Sequence, residues 1–128
     1  MELGTLIADL HHNNSLKRAR AAAALGRIRH PAVVPALLDV LDDDNATVRS
    51  NATFSLGELG AGEAVPNLIT KLEDPDQFVR KSAAKALGIL HARTAIPALE
   101  EALSDPSLVV RKNAERSLAL IKGDPSSV

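Results

Sequence analysis

A 31-residue internal repeat is the sequence feature that most constrains the fold of this chain. One leucine recurs at this interval, as Leu25, Leu56, Leu87 and Leu118. Segments 42–72 and 73–103 are identical at 12 of 31 aligned positions. A fixed period of this length is typical of proteins that stack one supersecondary unit on the next. The chain is therefore predicted to form an array of similar units.

Each repeat contains two helical patterns. Apolar residues recur three or four positions apart in two runs, Val48, Ala52, Leu56 and Leu59, then Val65, Leu68, Ile69 and Leu72. The chain has 21 Ala and 19 Leu but two Phe and no Trp or Tyr, and Ala and Leu favour helices. Because neither helix can bury its apolar stripe alone, successive hairpins must stack. The predicted fold class is all-α, an α-solenoid or superhelix of stacked antiparallel helical hairpins.

Turn-forming residues mark the predicted ends of the first helix in a repeat. Asp74 and Asp105 are each followed by a proline, which is the pattern of a capping carboxylate before the first helical turn. Gly57 and Gly88 fall at the other end, where a glycine often terminates a helix. These residues predict that Asp74 and Asp105 cap first helices and that the two glycines end them.

The repeat frame places residues 1–122 in a single solenoid domain. A half repeat is followed by three full repeats and a second half repeat, with the bounds 1–10, 11–41, 42–72, 73–103 and 104–122. Residues 123–128 are expected to form a flexible tail. Apolar residues of the two half repeats, among them Leu6 and Ile121, would then be uncovered and drive self-association. In the alternative, each terminal helix packs on the neighbouring repeat and the chain is a monomer.

The motif V-R-x-x-A-x-x-x-L-G followed by A-[VI]-P-x-L resembles the HEAT-like repeat of the phycobilisome-lyase type. The resemblance covers nearly the whole chain and is specific for the fold rather than for a function. It implies a hydrogen-bonded ladder between repeats, formed by Asp and Arg residues six positions apart. The matching residues are Asp43, Arg49, Asp74, Arg80, Asp105 and Arg111. The first repeat departs from this pattern, because His12 stands in the place of the Asp.

Residues for catalysis or metal binding are not grouped in the sequence. The chain has no Cys, and its four His residues lie in no ligand-spaced cluster. Deoxyhypusine hydroxylases, which are built from similar repeats, bind iron through His-Glu dipeptides, and this chain has none. Helical serines have no neighbouring base, and the Ser-x-x-Lys match at Ser82 is expected to be fortuitous. We therefore expect no catalytic residue, no metal and no cofactor.

The expected binding surface lies on the second helices, since HEAT-like solenoids resemble one another in presenting these helices on the concave side. The predicted partner-binding residues are Ala36, Asp39, Val40, Asn67, Thr70, Lys71, Ala98, Glu101 and Ala102. This surface is acidic and favours a basic segment of a partner. First helices are basic instead, through Lys17, Arg18, Arg20, Arg49, Arg80, Lys81, Lys85, Arg111, Lys112 and Arg116. Phe54 occupies a position expected to face solvent, either as a contact or folded over the next repeat.

The predicted function is that of a non-catalytic scaffold or adaptor that binds a protein partner. Two alternatives stay open, a subunit of a bilin lyase or isomerase that handles a chromophore, and a structural module of a longer solenoid. The net charge of -1, from 15 Lys and Arg against 16 Asp and Glu, favours neither nucleic acid nor membrane as a partner. The first ten residues do not resemble a signal peptide. The expected location is cytoplasmic.

Overall fold

The structure, a computed structural model, describes residues 2–123. Its α-helices are α1 (Leu3–Asp9), α2 (Ser15–Leu25), α3 (Val33–Leu38), α4 (Ala46–Glu58), α5 (Val65–Thr70), α6 (Gln77–Ile89), α7 (Ile96–Ala102) and α8 (Leu108–Lys122). Single 3₁₀ turns occupy Gly62–Ala64, Lys71–Glu73 and Arg93–Ala95, and no strand occurs within residues 2–123. The prediction of an all-α solenoid is confirmed. Of the predicted tail, only Gly123 lies within the described residues.

Of the four long helices, α2, α4, α6 and α8, the last two begin later than the sequence suggested. Asn45 and Asp76 are the N-cap residues of α4 and α6, and each side chain accepts two backbone N–H groups of the first turn. Asp74 lies two residues earlier and accepts the Asp76 N–H at 2.9 Å instead. The same arrangement joins Asp105 to the N–H of Ser107, the residue before α8. The prediction that Asp74 and Asp105 cap the long helices is therefore wrong.

Glycines in the long helices permit close approach rather than helix termination. Gly57 lies inside α4, which continues to Glu58. A Cβ added at Gly57 would lie 2.7 Å from the Ala86 Cβ of the next long helix, closer than atoms can pack. Gly88 is in the same position against Ser117. The prediction that these two glycines end helices is wrong, because their role is to admit the neighbouring helix.

Hydroxyl groups also join the long helices. The Ser55 Oγ on α4 donates to the Ala22 carbonyl of α2 at 2.7 Å. Two repeats later along the chain, the Ser117 Oγ on α8 donates to the Ala84 carbonyl of α6 at 2.6 Å. Side-chain bonds to a neighbouring helix backbone require small residues at the interface, which the Ala-rich sequence supplies. The long helices therefore form one closely packed layer.

The short helices, α1, α3, α5 and α7, are more widely spaced. Each packs mainly on a long helix, and α3, α5 and α7 make few contacts with one another. An open hollow of about 200 Å³ separates α5 from α7, with Ile69, Leu72 and Ala98 in its walls. The long helices therefore form the more closely spaced of the two layers.

The core lies between the two layers and extends to both ends of the described chain. Leu25, Leu56 and Leu87 are fully buried at matching positions of successive repeats. Leu118 and Ile121 of α8 are 7% and 6% exposed, because α7 packs across α8. The expectation of an uncovered stripe at this end is thus wrong for these two residues.

Candidate functional site

An Arg-Asp ladder runs along one edge of the solenoid and aligns the repeats. Arg49 Nε and Nη2 donate to the two carboxylate oxygens of Asp74, at 2.9 and 3.1 Å. Arg80 binds Asp105 in the same bidentate way, at 2.9 and 3.2 Å. Bidentate Arg-carboxylate pairs are geometrically specific, so each fixes the position of one repeat against the next.

The ladder pairs different residues from those suggested by a spacing of six. The carboxylate partner of each Arg lies 25 residues later, whereas the residue six positions earlier contributes its backbone carbonyl, as Asp43 does to Arg49 Nη1 at 2.8 Å. Arg18 therefore belongs to the ladder, since its guanidinium binds the Asp43 carboxylate at 3.0 and 3.1 Å. Arg111 donates to the Asp105 carbonyl at 2.7 Å, with no carboxylate partner within residues 2–123.

The ladder carboxylates have lowered pKa values. Burial raises the pKa of Asp74, but hydrogen bonds from the Arg49 guanidinium and the Asp76 N–H outweigh burial and hold it below its ordinary value. The pKa values of Asp43 and Asp105 are lowered by the same balance. The Arg49 and Asp74 side chains are 15% and 4% exposed. These groups are occupied by one another and offer no phosphate site.

The predicted partner-binding residues divide into an exposed group and a buried group. Val40, Lys71 and Ala102 are 4%, 8% and 7% exposed, so they do not line an accessible surface. These three residues occupy equivalent positions of successive repeats, and their side chains turn inward against the long helices. The Lys71 ammonium pairs with the exposed Asp42 carboxylate. Because these three residues are buried, their predicted inclusion in an accessible binding surface is wrong.

The remaining predicted residues form what we call the short-helix face. Its exposed or half-exposed members are Ala36, Asp39, Asn67, Thr70, Ala98 and Glu101. Glu100 is also exposed, and its carboxylate lies 3.3 Å from the Lys122 ammonium. The charged members of this face, Asp39 and Glu101, are therefore both exposed and acidic.

The opposite surface, the long-helix face, carries most of the exposed large apolar side chains of the described residues. Phe78 and Leu120 are 57% and 47% exposed, and Ile89 is 43% exposed. Leu16 and Leu108 lie near the start of α2 and α8 and are also exposed. Contiguous exposed apolar side chains mark interaction surfaces more often than isolated ones do.

Four cations lie on the last two long helices of this face, and we call them the basic block. They are Lys81 and Lys85 of α6 and Lys112 and Arg116 of α8. Lys81 and Lys112 are equivalent positions of successive repeats, as are Lys85 and Arg116. The half-buried ring of Phe54 precedes Lys85 by one repeat, and the Lys85 ammonium lies 5.3 Å from its centroid. Phe54 thus contacts the next repeat, which was one of the two expected arrangements.

Neither a cluster of metal ligands nor a helix able to cross a membrane is found in the part of the chain that the structure describes. Residues 2–123 contain no group of three or more His, Cys, Asp or Glu side chains arranged to hold a metal ion. His12 uses its Nδ1 to accept the Asn14 N–H at 2.9 Å. Within the same residues, none of the helices combines the length and the apolar character needed to cross a membrane.

Comparison of the sequence with known protein families agrees with the stacked helical repeats of the structure. The sequence pattern of HEAT repeats matches residues 3–60 and 34–119. The chain belongs to the HEAT repeat family. Among curated proteins, none matches its sequence.

Solved structures similar to this HEAT-repeat protein include two associated with enzymes. It resembles a chain of the complex of CpcE and CpcF of phycocyanin lyase from Nostoc sp. PCC7120, with 26% identity, a TM-score of 0.74 and coverage of 99% of this chain and 67% of that one. It resembles human deoxyhypusine hydroxylase with 28% identity and a TM-score of 0.79, covering 96% of this chain and 44% of that one. An engineered protein at 22% identity and a TM-score of 0.70, with coverage of 94% and 63%, shows the fold alone.

The family assignment gives this HEAT-repeat protein a scaffold fold and leaves its enzymatic status unresolved. Its neighbours include both a lyase complex and a hydroxylase, and it spans less than half of the hydroxylase chain. Arg18 was omitted from the predicted ladder because residue 12 is His. The signal for Arg18 was nevertheless present, since its partner Asp43 stands one repeat later.

Proposed function

We propose that this HEAT-repeat protein is a non-catalytic scaffold whose long-helix face binds a partner protein. The observation that carries the proposal is the exposure of the Phe78, Ile89 and Leu120 side chains on the closely packed layer of long helices, which we infer to be the inner side of the solenoid. Curved solenoids offer an extended inner surface that contacts a partner along several repeats. We also place the protein in the cytoplasm.

Site-specific photo-crosslinking tests the proposal. A photoreactive amino acid replaces Ile89 on the long-helix face in one variant and the exposed Asn67 on the short-helix face in the other. In lysate of the source organism, we expect the first variant to crosslink one recurring protein and the second to crosslink much less. Equal labelling from both faces, or no recurring product from either, would contradict the proposal.

The short-helix face supplies a rival location for the partner. Asp39 and Glu101 are exposed there, and the acidic character of this face suits a basic segment. The variant Asp39→Lys/Glu101→Lys distinguishes the two locations. We expect it to retain the protein crosslinked from position 89, whereas loss of that product would assign the partner to the short-helix face.

A second candidate function is that of a subunit of a chromophore-handling lyase or isomerase. The likeness to a chain of the phycocyanin lyase complex favours this candidate. Incubation of the purified protein with free bilin tests it through the visible absorption spectrum. A shifted spectrum that persists after gel filtration would support the candidate, and an unchanged spectrum would reject it.

An iron-dependent hydroxylase fits the residues poorly. The chain contains no His-Glu dipeptide, and residues 2–123 hold no group of metal-binding side chains. A metal centre that needs several imidazole and carboxylate ligands finds no such donor set within residues 2–123. The similarity to deoxyhypusine hydroxylase therefore supports the fold and not its chemistry.

A further inference from the structure

The basic block concentrates positive charge on a small area of the long-helix face. Packed helices lie about 8–10 Å apart, and residues four apart on one helix lie about 6 Å apart. Lys81, Lys85, Lys112 and Arg116 therefore fall within an area about 10 Å across, a size that one short segment of a partner can cover.

These charges have little compensation within the molecule. Lys112 lies 4.0 Å from Glu115, and both side chains are more than half exposed, so this pair contributes little. Lys81, Lys85 and Arg116 form no ion pair with any carboxylate of residues 2–123. By contrast, Arg18, Arg49 and Arg80 of the ladder are each paired with a buried or half-buried carboxylate. The positive potential of the basic block is therefore available to a partner.

Apolar side chains adjoin the basic block. Phe78 precedes Lys81 by three residues on α6, and Ile89 follows Lys85 by four, so both lie on the same side of the helix as the lysines. Leu120 occupies the position on α8 equivalent to Ile89 and follows Arg116 by four residues. All three apolar side chains are exposed. A ligand of matching chemistry would carry both negative charges and aliphatic groups.

We propose, as an inference that rests on the proposed function, that the basic block and the adjoining Phe78, Ile89 and Leu120 bind an acidic segment of a partner protein. This segment also contains aliphatic side chains. Carboxylates of the segment pair with the block, and its aliphatic groups cover the exposed apolar residues.

A nucleic acid matches this surface less well. Its phosphates could pair with the cations, but it offers few aliphatic groups to the exposed isoleucine and leucine. The Phe54 ring, which could stack on a base, is half-buried, with the Lys85 ammonium positioned over it. Net charge is close to zero, so long-range attraction for a polyanion is weak.

Binding of synthetic probes tests this inference. The probe is a short fluorescein-labelled peptide of Glu and Leu, compared by fluorescence anisotropy with a Lys and Leu peptide, a Glu and Ser peptide and a single-stranded DNA oligonucleotide. We expect the Glu and Leu peptide to bind most tightly, and its affinity to fall at least about tenfold between low and high salt. Tighter binding of the DNA, or equal binding of the Lys and Leu peptide, would overturn the inference.

Paired charge reversals locate the site. Lys85→Glu/Arg116→Glu should weaken binding of the Glu and Leu peptide at least about thirtyfold, since two attractive contacts become repulsive. Lys17→Glu/Arg27→Glu reverses two exposed cations of the first repeat and should change the affinity less than about threefold. Circular dichroism checks that each variant is folded, and the neutral Lys85→Gln/Arg116→Gln should lose affinity to an intermediate degree. Equal losses from both reversals would overturn the inference.

Failure of this inference and failure of the proposed function give different results. If the partner crosslinked from position 89 binds wild type and Lys85→Glu/Arg116→Glu equally, the acidic-segment inference is wrong and the scaffold proposal stands. If no recurring protein is crosslinked from either face, the scaffold proposal is wrong, whatever the peptides show.

Discussion

At the scale of single residues, Thr53 departs from the otherwise satisfied interior. Its Oγ1 is buried and has no hydrogen-bond partner among the described residues, while the neighbouring Ser55 donates to a carbonyl of the preceding long helix. An unpaired buried hydroxyl loses its hydrogen bonds to water without replacement. Thr53 is therefore a site where the native sequence does not give the greatest stability.

Replacing Thr53 by Val should stabilise the protein. The two side chains have similar shapes, and the substitution removes the unsatisfied hydroxyl, so we expect the free energy of unfolding to rise by about 1 kcal/mol. Urea unfolding followed by far-UV circular dichroism measures the change, since the chain has no Trp or Tyr for fluorescence. Thr47→Val, at an exposed position, is the control and should change stability by less than about 0.5 kcal/mol. A loss of stability in Thr53→Val would show that the hydroxyl is satisfied.

Gly60 and Gly62 lie two residues apart in one turn and differ in backbone conformation. Gly60 has φ of 71°, the left-handed region, whereas Gly62 does not have a positive φ. Neither position has a heavy atom within 4 Å of an added Cβ. Gly60→Ala should therefore lower the free energy of unfolding by about 1 kcal/mol. Gly62→Ala should leave it unchanged or raise it by about 0.5 kcal/mol, because alanine restricts the unfolded chain. Equal effects of the two substitutions in urea titrations would reject this backbone explanation.

At the scale of helices, close contact between α4 and α6 depends on Gly57. A Cβ at this position would lie 2.8 Å from the Ala86 Cα, so the backbone of one helix would have to move. We expect Gly57→Ala to lower the free energy of unfolding by about 2 kcal/mol, despite the better helix propensity of alanine. Gly4→Ala in α1, where an added Cβ has open space, is the control and should not destabilise the protein. Thermal unfolding of both variants measures this, and equal melting temperatures would remove the case for tight packing here.

At the scale of the whole molecule, the sequence predicted the repeat and most of its buried positions but not the relative spacing of the two helix layers. Leu25, Leu56 and Leu87 could be identified because their spacing reports directly which side of each helix faces the core. The close spacing of the long helices depends instead on contacts between repeats, such as Gly57 against Ala86. These contacts have no local signature, so the sequence did not predict which layer is the more closely spaced.

The ladder also shows what repeat spacing leaves open. The sequence named Asp43, Asp74 and Asp105 as ladder residues but suggested partners six positions away within the same repeat. The structure pairs each carboxylate with an Arg 25 residues earlier, across the boundary between repeats. Both separations are constant in a periodic sequence, so periodicity alone cannot choose between them.

Because each repeat boundary from the first full repeat onwards has a buried or half-buried ladder carboxylate, stability of the whole solenoid should depend on pH in the acid range. The pKa values of Asp43, Asp74 and Asp105 are lowered on folding. Their contribution is fully present above the unfolded pKa, about 3.9, and is lost as the pH falls through the lower folded values. We therefore expect the urea midpoint to be insensitive to these groups between about pH 5 and 7 and to fall below about pH 4.

Asp74→Asn isolates one contribution to this pH dependence. Near neutral pH the variant should be less stable than wild type, because Arg49 loses a charged bidentate partner in a partly buried site. On acidification it should lose less stability than wild type, since it has one fewer carboxylate to protonate, so the two curves converge at low pH. Asp39→Asn, which removes an exposed carboxylate, should instead follow the wild-type curve. Parallel pH curves for wild type and Asp74→Asn would show that the Asp74 carboxylate is not what couples the second and third full repeats.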